Sequence, residues 1–124
     1  MSARVLVCDH IHASAVEILR PLAEITESGP LSEAELCEQI GLYDALLVRS
    51  QTKVTAKALA AAAGKMKIIA RAGVGVDNID VAAATEHGIV VVNSPEGNTI
   101  AAAEHTLGLM MALARYIPAA DASL

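Results

Sequence analysis

The stretch Lys67-Ile68-Ile69-Ala70-Arg71-Ala72-Gly73-Val74-Gly75-Val76-Asp77-Asn78-Ile79-Asp80 constrains this chain more than any other. An apolar run breaks at two glycines and restarts as a helix, which reads as strand, glycine loop and helix. Glycines at 73 and 75 predict a backbone with positive φ that comes close to a ligand, and successive N–H groups pointing out of such a turn form an anion-binding concavity. The dinucleotide fingerprint G-x-G-x-x-G is not met, because Asn78 stands where the third glycine belongs. A tight strand-to-helix turn with no ligand is the competing reading.

The same alternation repeats along the chain. Residues 4–8 (RVLVC) form a first buried strand ending at Asp9, and residues 13–22 a helix with Val16, Leu19 and Leu22 on one face, disturbed at Pro21. Residues 23–27 read as an edge strand. Ser32-Glu33-Ala34-Glu35 is a capping box with Leu31 and Leu36 as its hydrophobic staple, and that helix stops at Gly41. Residues 45–48 are a third strand, Thr55 caps an Ala-rich helix ended by Gly64, and a helix over 80–87 is closed by Gly88. Residues 89–92 are the fifth strand, and a last helix runs from Asn98 or Thr99 to about Tyr116, before Pro118.

Five strands alternating with helices through short connections imply an α/β fold, a doubly wound parallel sheet of flavodoxin-like order 2-1-3-4-5, followed by a long C-terminal crossing helix. Ligands of such sheets sit outside the carboxyl ends of the strands. That rule gathers Asp9 and His10, Arg49 to Lys53, Arg71 to Gly75, and Asn93 to Asn98 on one rim. Arg49, Ser50, Thr52 and Lys53 form a plausible carboxylate or phosphate clamp, because guanidinium binds planar anions bidentately; a solvated loop leading a helix is the alternative. The natural ligand of such a rim is an anionic small molecule.

Composition narrows the partners. At 124 residues the chain fits one domain; 54% of it is hydrophobic, mostly aliphatic, with no Trp or Phe to stack on bases. Nine Lys and Arg against fourteen Asp and Glu leave a net charge of −5, which argues against a nucleic-acid surface. Any anion must therefore be held locally. Cys8 and Cys37 fall inside a strand and a helix and read as thiols of a reducing compartment. The longest apolar run is too short for a bilayer, and no basic segment followed by an apolar stretch opens the chain, so a cytoplasmic protein without a membrane partner is expected. His10 and His12 lack a third metal ligand nearby, and Ser94 lacks a nucleophile elbow and reads as a turn. No metal site and no complete catalytic constellation is expected. Helix 99–116 is apolar almost all round, so the sheet should cover one side and another domain or subunit the other.

Three segments carry a family resemblance: Leu47 through Thr55 (LVRSQTKVT), Arg71 through Asn78 (RAGVGVDN), and Asn93 through Glu104 (NSPEGNTIAAAE). They resemble the NAD-dependent D-2-hydroxyacid dehydrogenases over essentially the whole chain, with V-R-S-x-T-K-V-T pointing to the phosphoglycerate branch. The resemblance implies oxidation of 3-phosphoglycerate to 3-phosphohydroxypyruvate, the opening reaction of serine synthesis, with NAD as cofactor. It implies a substrate domain over residues 1–98 and a crossing helix over 99–124. Arg49, Ser50 and Lys53 would lie on the substrate side with Arg71 nearby, the N–H groups around Gly73, Val74 and Gly75 would hold the carboxylate, and Val74 and Asn98 would approach the cofactor. Val74 replaces a threonine frequent in relatives, losing a hydroxyl while keeping the main-chain donor. The dinucleotide loop and the Arg, Glu and His of the chemistry would follow beyond Leu124, so this chain alone is expected to be an inactive N-terminal fragment that forms a homo-oligomer through helix 99–116. The alternatives are another D-2-hydroxyacid dehydrogenase, such as a glyoxylate or hydroxypyruvate reductase, or a short non-catalytic protein that binds an anion or a partner.

Overall fold

Five apolar runs become five parallel strands in the computed structural model, which describes residues 2–62 and 64–124. They are β1 (Ala3–Val7), β2 (Ala23–Glu27), β3 (Ala45–Val48), β4 (Ile68–Arg71) and β5 (Val90–Asn93), in the expected order 2-1-3-4-5. Helices α1 (Ala13–Leu19), α2 (Glu33–Gln39), α3 (Ala56–Ala61) and α4 (Val81–Glu86) connect them, and α5 (Thr99–Ala114) and α6 (Ile117–Ala122) follow. The chain steps outward from β1 to β2 and then back across β1 to β3. Right-handed crossovers therefore place α1 on one face and α2, α3 and α4 on the other.

Strand alternation fills the core between the sheet and the second group of helices. Leu6, Cys8, Leu46, Val48 and Ile69 meet Leu36, Ile40, Leu59, Ala83 and Ala84 there. The opposite face takes Val5 and Val7 near the centre and thins toward the β5 edge, where Ile68 is 37%, Val90 57% and Val92 41% exposed. The register Val48↔Arg71 and Arg71↔Asn93 aligns the ends of β3, β4 and β5. Their following loops are thereby brought side by side.

Local chemistry sets the helix starts. Ser32 Oγ accepts the Glu35 N–H (3.4 Å) while the Glu35 carboxylate accepts from the Ser32 N–H (2.9 Å) and hydroxyl (2.5 Å), completing the capping box. Leu36 is buried and Leu31 packs against the core, as the staple requires. Thr55 caps α3 through the Ala58 N–H and Asp80 caps α4 through the Ala83 N–H. His12 is the N-cap of α1, its Nδ1 accepting the Ser14 N–H at 3.3 Å.

Several boundaries differ from the sequence reading for identifiable reasons. α1 ends at Leu19, because Pro21 cannot continue the helix, and Leu22 is 72% exposed instead of joining the buried face. α2 does not stop on a left-handed glycine. It passes into a 3₁₀ turn, Ile40–Leu42, in which Gly41 lies so near α3 that a Cβ would stand 2.9 Å from the Ala61 carbonyl oxygen. Gly64 and Gly88 do adopt positive φ (94° and 67°); position 63 of the helix expected up to Gly64 lies outside the described residues. The long last helix ends about where expected, before Pro118, and the short α6 after it is the addition. The break comes at Tyr116, in the left-handed conformation, and Pro118 sits in the first turn of α6, where its missing N–H costs no intrahelical bond.

The largest correction concerns α5. The sheet was expected to cover one side of it, yet none of its residues is buried, and Leu107, Leu109, Met110, Met111 and Leu113 are 58–77% exposed. β5 is the sheet edge among the described residues. The apolar β4–β5 face with Ile68, Val90 and Val92 stays uncovered as well. No described helix is long and apolar enough to cross a membrane.

Candidate functional site

Three strand ends build a cleft of about 510 Å³ lined by Arg49 and Ser50 after β3, Arg71, Ala72, Gly73 and Val74 at the end of β4, and Ser94, Gly97 and Asn98 after β5. Each wall is held by its own set of bonds. The Arg49 wall hangs on Asp9, the residue following Cys8 beyond β1. Its buried carboxylate accepts from the N–H groups of Arg49 (2.8 Å), Gln51 (3.2 Å) and Thr52 (2.9 Å) and from the Thr52 hydroxyl (2.5 Å). Asp9 takes a left-handed φ of 66° to reach them. Thr52 is fully buried and its Oγ1 also accepts the Leu31 N–H, so this hydroxyl belongs to the scaffold and not to the ligand clamp.

The glycine loop corrects its expected geometry. Neither Gly73 nor Gly75 has positive φ. Gly73 leaves room for a close approach instead: the Arg71 guanidinium lies across it, and a Cβ there would have to push that side chain aside. A Cβ on Gly75 would come 2.9 Å from the Asp77 carboxylate. The Gly73 N–H donates to the Arg71 carbonyl (2.9 Å), the Gly73 carbonyl accepts the Ser94 N–H (3.0 Å), and the Val74 carbonyl accepts from Asn93 Nδ2 (2.5 Å). The N–H groups of Val74 and Gly75 have no acceptor among the described residues. Helix α4 begins only at Val81, so the loop is not the mouth of a helix and the fingerprint geometry is absent here.

Asn78, the residue that breaks the fingerprint, cross-links the two walls. Its Nδ2 donates to the carbonyls of Arg49 (3.0 Å) and Thr52 (2.8 Å), and Arg71 Nε donates to the same Arg49 carbonyl (3.0 Å). Arg71 is thus fixed at its Nε, with its terminal nitrogens toward the cleft lining. Neither Arg49 nor Arg71 enters an ion pair among the described residues; the pairs found use Arg4, Arg20 and Lys57. Two uncompensated guanidinium groups in a chain of net charge −5 make the cleft a local positive site.

Of the expected site residues, Arg49, Ser50, Arg71, Gly73, Val74 and Asn98 share the cleft. Lys53 and Gly75 do not line it. Lys53 belongs to a neighbouring groove with Thr55, Asp77 and Asp80, because the buried Thr52 and Val54 on either side turn it away from Ser50. Asn98 precedes α5 without a side-chain capping bond, which leaves its carboxamide available. Ser94 sits in a turn, as expected, but also lines the cleft; Gly97 makes room for it, since a Cβ there would stand 2.8 Å from Ser94 Oγ. The structural roles of Asp9 and Asn78 were missed, whereas Ala72 and Gly97 fall within the rim segments expected from the strand ends. No group of three potential metal ligands occurs among the described residues. Burial pushes the Cys8 thiol up, and the neighbouring Asp9 carboxylate raises it further against the lowering effects of Ser28 and Thr52. Cys8 is therefore a core thiol and not a nucleophile.

Comparison with known proteins agrees with this fold. Residues 5–120 match the model of the family described as D-isomer specific 2-hydroxyacid dehydrogenase, catalytic domain. The chain is 58% identical over 122 residues to D-3-phosphoglycerate dehydrogenase of Synechocystis sp., covering 98% of this chain and 22% of that protein. It is 52% identical to the D-3-phosphoglycerate dehydrogenase of Methanocaldococcus jannaschii, covering 98% and 23% respectively. The crystal structure of NAD+-bound 3-phosphoglycerate dehydrogenase of Entamoeba histolytica superposes with a TM-score of 0.77 at 32% identity, over 90% of this chain and 39% of that one. The chain thus spans about a fifth of the curated relatives, at 22% and 23% of their lengths. With the family model matched over nearly its whole length and a parallel 2-1-3-4-5 sheet beneath it, this chain belongs to the D-isomer specific 2-hydroxyacid dehydrogenase family.

Proposed function

We propose that this chain forms the amino-terminal substrate-binding part of an NAD-dependent D-3-phosphoglycerate dehydrogenase, with residues 1–98 as the substrate domain segment and 99–124 as the crossing helix toward a nucleotide-binding domain. The observation that carries the reading is the cleft: Arg49 and Arg71, without ion pairs among the described residues, stand beside the unused Val74 N–H. A substrate with a phosphate at one end and a carboxylate at the other needs two anion sites. Arg49, Ser50 and Arg71 suit the phosphate, because guanidinium offers bidentate donors and the hydroxyl fills a remaining acceptor. The Val74 N–H suits the carboxylate, with Gly73 supplying the close backbone approach and the Gly75 N–H following. Lys53, in the adjoining groove, adds positive potential without direct contact.

NAD fits this chain only at one end. Val74, 40% exposed, offers apolar surface, and Asn98 an uncommitted carboxamide, a pairing suited to the nicotinamide end. When bound, NAD supplies the hydride acceptor for the substrate C2–H. The residues of this chain bind and orient the hydroxyacid; no described side chain in the cleft is a general base, so proton removal belongs to a segment outside it. A cytoplasmic location and a homo-oligomer through residues 99–116 are part of the same proposal.

Calorimetric titration of 3-phosphoglycerate and of unphosphorylated glycerate into the chain tests the assignment. Arg49→Ala is expected to weaken 3-phosphoglycerate roughly 10- to 100-fold and glycerate much less, as expected for loss of a charge-assisted bidentate contact. Equal effects on both ligands would shift the assignment to another D-2-hydroxyacid dehydrogenase, such as a glyoxylate or hydroxypyruvate reductase.

A further inference from the structure

Two residues outside the cleft lining hold both of its arginines. Asp9 binds the backbone of Arg49, Gln51 and Thr52 from below, and Asn78 binds the carbonyls of Arg49 and Thr52 from the side. The Arg49 carbonyl is the junction, since Arg71 Nε donates to it as well. Main-chain bonds reinforce the join: the Val54 N–H donates to the Asn78 carbonyl (2.8 Å), the Asp80 N–H to the Val54 carbonyl (2.9 Å), and Val54 bridges Ile79.

We propose that Asp9 and Asn78 are positioning residues that pre-organise the Arg49 backbone and, through its carbonyl, the Arg71 guanidinium as parts of one receptor for an organic phosphate. The inference rests on the substrate assignment above for the identity of the ligand, though not for the geometry. A long arginine side chain loses much rotamer freedom when it binds, and a receptor in which Arg71 is already held at its Nε avoids part of that loss. Asp9 supplies the fixed point for the Arg49 backbone. It does so from a left-handed conformation that only a few non-glycine residue types adopt readily, Asp and Asn among them. Asn78 keeps the Arg49 carbonyl aimed at Arg71, and Arg71 in turn lies across Gly73, where a methyl group would displace it. Neither Asp9 nor Asn78 lines the cleft, so neither is a direct contact.

The test uses the whole chain, 3-phosphoglycerate as the probe, and a temperature well below the unfolding transition of each variant. Asp9→Asn keeps the size and the tolerance for left-handed φ but replaces an accepting oxygen with a donor facing N–H groups. Asn78→Ala removes the bridge and leaves the Thr52 carbonyl without its donor but introduces no new polar group, so it decides the question if Asp9→Asn does not fold. Each variant is expected to lose about tenfold in affinity, the scale of one or two lost hydrogen bonds. Asn78→Ala should keep the wild-type salt dependence, since it changes no charge, whereas Arg49→Ala should flatten it. The Arg71 Nε–H should exchange slowly with water in the wild-type chain and faster in Asn78→Ala, a readout that needs no ligand. Unchanged affinity and unchanged Arg71 exchange overturn the positioning role. A wild-type chain that binds no 3-phosphoglycerate overturns the substrate assignment, and the Arg71 exchange still decides the positioning.

Discussion

Arg71 and Gly73 work as one unit. The guanidinium occupies the space in which any larger residue at 73 would place its Cβ, and the Gly73 N–H closes back on the Arg71 carbonyl. In Gly73→Ala the methyl group meets the flexible end of a side chain and not backbone, so stability should stay within about 0.5 kcal/mol of wild type. Affinity for 3-phosphoglycerate should fall by roughly tenfold as Arg71 is pushed aside; thermal melts and calorimetric titration on one preparation separate the two. Much of the site was legible at this scale. An arginine directly after a strand is a sound anion candidate, and Arg49 and Arg71 do share a cleft. Asp9 was legible as a rim residue but not as scaffold, because a carboxylate after β1 does not announce which N–H groups it accepts from. Only the β1–β3 pairing puts it under residues 49–52. Nor does a glycine in sequence reveal whether it serves positive φ or close approach, and here Gly73 serves the second. Glu35 gives a pH prediction. The Ser32 side chain, and then its backbone N–H, hold the carboxyl below its ordinary value of 4.5. A carboxylate depressed in the folded state adds stability above its unfolded pKa and loses it as pH falls through the folded one. The melting-temperature gap between wild type and Glu35→Gln should therefore be open at neutral pH and close in the acid range below 4.5.

Among the elements, strands and helix starts follow sequence closely, while helix ends and helix neighbours do not. A cap such as Ser32, Thr55 or Asp80 is a bond between a residue and its near neighbours in the chain, so local sequence encodes it. Gly41 is the contrast: its purpose is contact with α3, twenty residues on, which local sequence does not reveal. Gly41→Ala should cost about 1–3 kcal/mol by forcing the 3₁₀ turn and α3 apart, since the atom met is a backbone oxygen with no room to yield; chemical denaturation measures it. The misjudged cover of α5 has the same origin. An all-apolar helix announces that it must be covered, but not by what. With no residue of α5 buried, its hydrogen bonds rest on helix propensity alone, and a helix of 16 residues is marginal on that basis. Amide exchange over 99–114 in dilute solution should be far faster than in the central strand β3 or its neighbour β1.

For the molecule as a whole, the exposed apolar surface decides how the chain behaves on its own. The bare β4–β5 face with Ile68, Val90 and Val92, and the uncovered α5 with Leu107, Met110, Met111 and Leu113, leave more aliphatic surface than a dilute monomer tolerates comfortably. The net charge of −5 keeps copies apart only at long range and is screened within about 8 Å at physiological salt. Burial of apolar area outweighs that repulsion at contact, because it scales with area at roughly 25 cal/mol per Å². Sedimentation velocity at rising concentration should show reversible self-association that strengthens with salt. Leu107→Glu together with Met111→Glu, two exposed side chains one helical turn apart, should return the chain to a monomer without lowering its melting temperature, since neither residue contributes to the folded core. A wild-type chain that stays monodisperse and monomeric at high concentration would remove the physical basis for an oligomer through residues 99–116. Amide protection over 99–114 should rise with concentration in the wild type and stay low in the double variant. That coupling identifies α5 as the surface being buried, and a β4–β5 contact alone would not produce it.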